Sequence, residues 1–205
     1  MNDEPASEEA ELVRRLRKGD REAFAEVVRR YHASMLRVAR TFVGARGDAE
    51  DVVQETWLAV VRGIDAFEER SSLRTWLFSI LVNRARSHAV REARRPGAGA
   101  APLDGDDTAS WFVGRPGRGR WREPVPPWQD DPQLRLDSAE TMATMMALIA
   151  ELPPSRRQVL VLRDVEGWSA SDVSELLGLS AVNQRVLLHR ARTTLRQRLG
   201  EERGR

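Results

Sequence analysis

A chain of 205 residues with 41% hydrophobic content can build one ordinary domain or two small ones, each with a modest core. Having no cysteine, it is excluded from disulfides, thiolate metal ligands and a cysteine nucleophile, and it fits a reducing cytoplasm. The formal net charge of +2 excludes nothing, and a polar, acidic start with no long apolar run gives no sign of a signal peptide or of membrane insertion.

Residues 1–6 read as frayed. Ser7 is placed to cap a first helix running through Lys18, with Leu12, Val13 and Leu16 apolar and Gly19 closing it. Asp20 caps a second helix whose stripe includes Phe24, Val27, Val28, Tyr31, Met35, Leu36, Val38, Ala39 and Phe42, broken by Gly44–Gly47. A third helix is expected from about Asp48 to Phe67, carrying Val52, Val53, Trp57, Leu58, Val61 and Ile64. After the polar loop Glu68–Ser72, a fourth helix runs from about Leu73 to Arg94, with Trp76, Leu77, Ile80, Leu81, Ala85 and Ala89 inside.

Charge is unevenly spread over these elements. Residues 1–70 hold 12 basic and 15 acidic residues, a net −3. Residues 71–95 carry Arg74, Arg84, Arg86, Arg91, Arg94 and Arg95 against Glu92 alone. An acidic front followed by a basic segment points to two kinds of partner. Asp48, Asp51 and Glu55 share one face of the third helix, opposite its apolar side. No histidine or second carboxylate cluster adjoins them, so the stripe fits docking on a basic partner helix better than acid–base chemistry or metal binding. In Ser71–Arg95, arginines could track phosphates while aromatics stack on unpaired bases, with Trp76 read as core.

Residues 96–137 change character. They are rich in Gly, Pro and Asp with no sustained period, which reads as a flexible linker, yet they include Trp111, Phe112, Trp121 and Trp128. A fifth helix is expected over Ser138–Ala150, stopped by Leu152-Pro153-Pro154, and a sixth from a Ser155 cap to about Val165. Ser169 with Asp172 then forms a capping box, Val173, Leu176 and Leu177 make a short stripe, and Gly178 supplies the left-handed helix end. Ser180 caps a longer helix with Leu187, Leu188, Ala191, Leu195 and Leu199 buried. A short helix, a glycine turn and a longer helix form a helix-turn-helix, whose second helix enters the major groove at its N-terminal end. Asn183, Gln184 and Arg185 lie there, and from Asn183 onward seven Arg face two Glu. No strand is expected. The reading is all-α, with two small helical domains at 7–95 and 138–200 joined by a linker at 96–137.

His32, His88 and His189 are too scattered for a metal site, and no cofactor or catalytic motif is present, so neither metal nor cofactor is expected and the chain does not read as an enzyme.

The motifs FAEVVRRYHASMLRVA, DAEDVVQETWLAV, LRTWLFSILVNRAR, LPPSRRQVLVLRDVEGWSASDVSELLGLS and HRARTTLR occur in that order. In this combination the chain resembles a bacterial RNA polymerase sigma factor of the extracytoplasmic-function group, over about residues 10–95 and 138–199. The resemblance implies that Asp48, Asp51, Gln54, Glu55 and Leu58 dock on the clamp of the polymerase largest subunit. It implies that the loop Phe67–Ser72 holds a flipped base of the promoter −10 element, with Arg74, Trp76, Asn83, Arg84, Ser87, His88 and Arg91 along the separated strand. It assigns −35 recognition to Ser180, Asn183, Gln184, Arg185, His189, Arg190 and Arg192, with further contact to the flap of the second subunit. It also implies an anti-sigma partner. Where the family often reads TVKSRLHRAR, this chain has Gln184 at a usually apolar place and Val186 and Leu187 at polar ones. Those two could touch thymine methyls or repack on the preceding helix. The alternative reading is a free-standing helix-turn-helix regulator that never engages polymerase.

Overall fold

The structure is a computed structural model that describes residues 4–43, 46–93, 112–113, 120–121 and 139–203. The chain divides into two compact units, Met1–Gly99 and Ala100–Arg205.

In the first unit α1 spans Glu4–Arg17, α2 Arg21–Ala39, α3 Arg46–Gly63 and α4 Leu73–Ala93. The α1–α2 corner is set by two residues. Gly19 takes φ +72, which an L side chain resists, and the Asp20 amide reaches back to the Arg15 carbonyl at 3.1 Å. The Asp20 carboxylate then accepts from the amides of Glu22 and Ala23, at 2.9 and 3.2 Å, and caps α2. α2 stops at Ala39 rather than Phe42, because the chain tightens into i→i+3 bonds, with Thr41 and Phe42 donating to Val38 and Ala39. α3 ends at Gly63, and Ile64–Ala66 form a single 3-10 turn where α-helix was expected to continue. Ala23, Val27, Met35, Val38, Val52, Val53, Trp57, Leu77, Phe78 and Leu81 fill the core. Thr56 is buried among them and donates its hydroxyl to the Val52 carbonyl at 2.7 Å, so it leaves no orphaned polar atom.

Val61, carried in the expected apolar stripe of α3, and Leu58, which the resemblance assigns to docking, both face outward. They are 56% and 57% exposed. The inward stripe of α3 is Val52, Val53, Thr56, Trp57 and Val60, continued by Ile64 of the 3-10 turn and rotated about the helix axis from the expected one.

In the second unit β1 (Phe112–Val113) pairs antiparallel with β2 (Arg120–Trp121), with Phe112 opposite Trp121. This two-residue ladder is a departure from the strand-free expectation, though the fold remains all-α. The other linker aromatics, Trp111 and Trp128, lie outside the described residues. α5 covers Ala139–Ala150, α6 Pro154–Leu160, α7 Ala170–Leu177 and α8 Ala181–Arg203. Ser155 does not cap α6: the cap position is Pro153 and Pro154 opens the helix, where its missing N–H is harmless. α6 runs on as a wider π turn over Val161–Val165, in which the Glu166 amide reaches the Val161 carbonyl at 2.9 Å. The core here joins Met145, Ile149, Leu152, Val159, Leu160, Leu162, Trp168, Val173, Leu187, Leu188, Ala191 and Leu195.

Candidate functional site

Two surfaces carry the residues singled out from the sequence, one in each unit. In the first unit, α3 and α4 lie side by side. Asp51, Gln54 and Leu58 are exposed, while Asp48 and Glu55 are half-buried. A groove of about 430 Å³ is lined by Asp51, Gln54, Glu55 and Leu58 of α3 and by His88, Arg91 and Glu92 of α4. The acidic and basic sets, read from sequence as serving different partners, therefore meet along one seam. Arg84 donates to Glu55 across it at 3.2 Å. Asn83, Arg84, Ser87 and Arg91 line the neighbouring groove together with Val90, which is half exposed. Val61, on the same side of α3 as Leu58 and Gln54, joins the exposed stripe. Gln54, Leu58 and Val61 fall at i, i+4 and i+7 of one helical face.

Arg74 and Trp76 stand apart, at the start of α4. Trp76 is half-buried, its ring 5.0 Å from that of Phe67 at a 35° tilt. The segment between the 3-10 turn and α4 is held from both ends. Phe67 is buried, Ser72 caps α4 by accepting from the Thr75 amide at 3.1 Å, and Glu69 adopts φ +56.

In the second unit the helix-turn-helix forms as its local signals require. Ser169 accepts from the Asp172 amide at 3.1 Å. Gly178 takes φ +66, and the Leu179 amide reaches the Ser174 carbonyl at 2.8 Å, closing α7. Ser180 accepts from the Asn183 amide at 3.1 Å and opens α8. The first turn of α8 exposes Ser180, Asn183 and Arg185. These can reach base edges or phosphates.

Three other residues expected on that surface are elsewhere. Gln184 is 1% exposed, because it occupies the i−3 and i−4 positions of the stripe that continues through Leu187 and Leu188. His189 is 9% exposed on the flank of the same stripe. Arg192 is committed inside the unit, where its Nε and Nη2 meet the two carboxylate oxygens of Asp164 at 2.8 and 2.6 Å. Val186 and Leu187 are also buried, so they repack rather than face a groove. Arg190 remains half-buried. Asp164, 3% exposed, gave no signal in the sequence, since its partner lies 28 positions away.

Among the described residues no group of three His, Cys, Asp or Glu side chains gathers as a metal site, and no helix is long and apolar enough to cross a membrane.

Comparison with known proteins bears on both surfaces. The family described as Sigma-70 region 2 matches residues 27–95, and that described as Sigma-70, region 4, matches residues 143–195. The chain is 34% identical over 183 residues to the ECF RNA polymerase sigma factor SigG of Mycobacterium tuberculosis, covering 87% of this chain but only 48% of SigG, so it spans about half that relative's length. It is 29% identical over 188 residues to the ECF RNA polymerase sigma-E factor of Haemophilus influenzae, covering 92% of this chain and 93% of that one. In fold it is similar to the sigma factor RpoE of Bartonella quintana, solved in complex with the anti-sigma factor NepR, with TM-score 0.59 and 20% identity over 86% of this chain and 96% of that one. With its two matched regions in order and relatives of this kind along its length, the chain belongs to the extracytoplasmic-function group of the sigma-70 family.

Proposed function

We propose that this chain is a promoter-specificity subunit, which binds RNA polymerase core and directs promoter recognition and DNA melting at initiation. The observation that carries the proposal is the seam between α3 and α4, where an exposed acidic and apolar stripe lies directly beside a basic face. In this reading Asp48, Asp51, Gln54, Glu55 and Leu58 take the clamp of the largest subunit, with Val61 extending the stripe. Asn83, Arg84, Ser87, His88 and Arg91 follow the −10 strand. Arg74 and Trp76 stand by the base-capturing loop. In residues 138–200, Ser180, Asn183 and Arg185 read the −35 duplex, Arg190 lies along the phosphates, and the flap of the second subunit is a further contact. Gln184, His189 and Arg192 support that helix from inside.

The phosphoryl-transfer chemistry belongs to the polymerase, and the chain acts by binding in the cytoplasm. An anti-sigma factor is a fitting regulator, as one accompanies the structurally similar RpoE. The test is to add purified chain to core enzyme on genomic DNA and sequence the transcripts. Initiation at a shared promoter motif is expected. Tight duplex binding with no core association would instead identify a free-standing regulator.

A further inference from the structure

We propose that α1 acts as a brace for the loop Phe67–Ser72, with Arg17 and Glu9 as positioning residues that set the loop's shape for capturing an unpaired promoter base. This rests on the promoter reading above and gives a role to a helix that lies wholly before the matched region 27–95.

Three polar contacts join α1 to the loop across 50 or more positions of sequence. The Arg17 guanidinium donates to the Phe67 carbonyl at 2.5 Å. Through its other nitrogen it pairs with Glu69 at 2.8 Å. At the far end of the loop, Glu9 accepts from the Leu73 amide at 2.9 Å, the first amide of α4 and one that no helical carbonyl can satisfy. The loop is thus fastened where it leaves the 3-10 turn, at its middle and where it enters α4.

Glu69 is what makes the fastening consequential. It is the one non-glycine residue with positive φ among the described residues. An L residue other than Asn or Asp keeps that conformation only when its surroundings impose it. Arg17 supplies the imposition, holding the Glu69 carboxylate and the carbonyl two residues earlier with one planar group. Phe67 in turn stacks with Trp76, so the same contact fixes an aromatic pair at the loop's edge. A pocket for an extruded base has to be formed before the base arrives, because ordering a loose loop would subtract from the affinity that offsets unstacking.

Core packing by α1 is carried separately, by Leu12, Val13 and Leu16. Arg17 and Glu9 can therefore be altered without emptying the core. The experiment uses the full chain with core enzyme and a promoter mapped with the wild-type protein, carrying 2-aminopurine at unpaired −10 positions. Arg17→Ala is expected to slow the fluorescence rise on opening by about tenfold, with core affinity unchanged within about twofold. Arg17→Lys should recover part of the rate by keeping one contact. The exchanged pair Arg17→Glu with Glu69→Arg should not recover it, because the donor to the Phe67 carbonyl is gone. Glu9→Ala should speed hydrogen exchange at the Leu73 amide, while Glu9→Gln, which keeps an acceptor, should not. Opening at the wild-type rate in Arg17→Ala would overturn the brace, as would core affinity falling in parallel with opening. Wild-type chain that yields no transcript would overturn the promoter reading itself, an outcome visible before any variant is made.

Discussion

Gln184 places a primary amide on the buried stripe of α8, and its amide nitrogen finds no hydrogen-bond partner among the described residues. An unsatisfied buried donor carries its full desolvation penalty. Gln184→Leu should therefore stabilise the helix-turn-helix by about 1 kcal/mol, seen as a higher unfolding midpoint in calorimetry, with duplex affinity retained. A fall in affinity with sequence preference lost would show that Gln184 reads a base after all. The Arg192–Asp164 pair behaves in the opposite way. Both side chains are largely withdrawn from water, and removing one strands the other. Arg192→Ala should destabilise this unit by about 3 kcal/mol, measured by urea unfolding, whereas Arg192→Lys should fail to restore the two-point contact. Arg185, exposed in the first turn of α8, is the residue to test for readout. Arg185→Ala should weaken −35 binding by about 1–3 kcal/mol and relax preference at one base pair. A uniform loss with a shallower salt slope would mark a phosphate contact instead.

At the scale of elements, the α1–α2 corner is sensitive to acid. The Arg15 guanidinium, bonded to Asp20, and the Ala23 and Glu22 amides hold its carboxyl below the usual carboxylate range. A depressed folded value contributes stability at pH above the unfolded value, and that contribution is lost as pH falls through the folded one. Asp20→Asn should flatten the acid limb of the stability profile below about pH 4 and leave the neutral limb's slope unchanged, which denaturation at a series of pH values would read. This cap was legible in the sequence, as were Ser169, Gly178 and Ser180, because each acts on amides or carbonyls only a few positions away. The facing of α3 was not. Leu58 and Val61 keep helical spacing with the true inward residues, so two adjacent stripes satisfy one period, and only packing against α2 and α4 decides between them. The π turn after Leu160 and the contacts of Arg17, Glu9 and Asp164 were hidden too, since nothing local records a partner 28 to 64 positions away.

For the whole molecule, two units with separate cores allow one to be disabled while the other works. Asp51→Lys combined with Leu58→Glu should abolish initiation and core pull-down and leave binding to −35 duplex unchanged. Loss of both together would mean that the division of labour is wrong. Glu55 is bonded to Arg84, which brings the acidic and basic faces into contact. While the two neutralise each other, neither is wholly available to a macromolecule. A visitor that claims the carboxylate liberates the guanidinium, and by thermodynamic reciprocity the converse holds equally. Half in solvent, such a pair is worth at most about 1 kcal/mol, so in the proposed role polymerase should sharpen affinity for melted promoter by no more than about fivefold through this link. In that role the chain would travel alone with its grip on nucleic acid slightly sheathed, and unsheathe it on arrival at the polymerase.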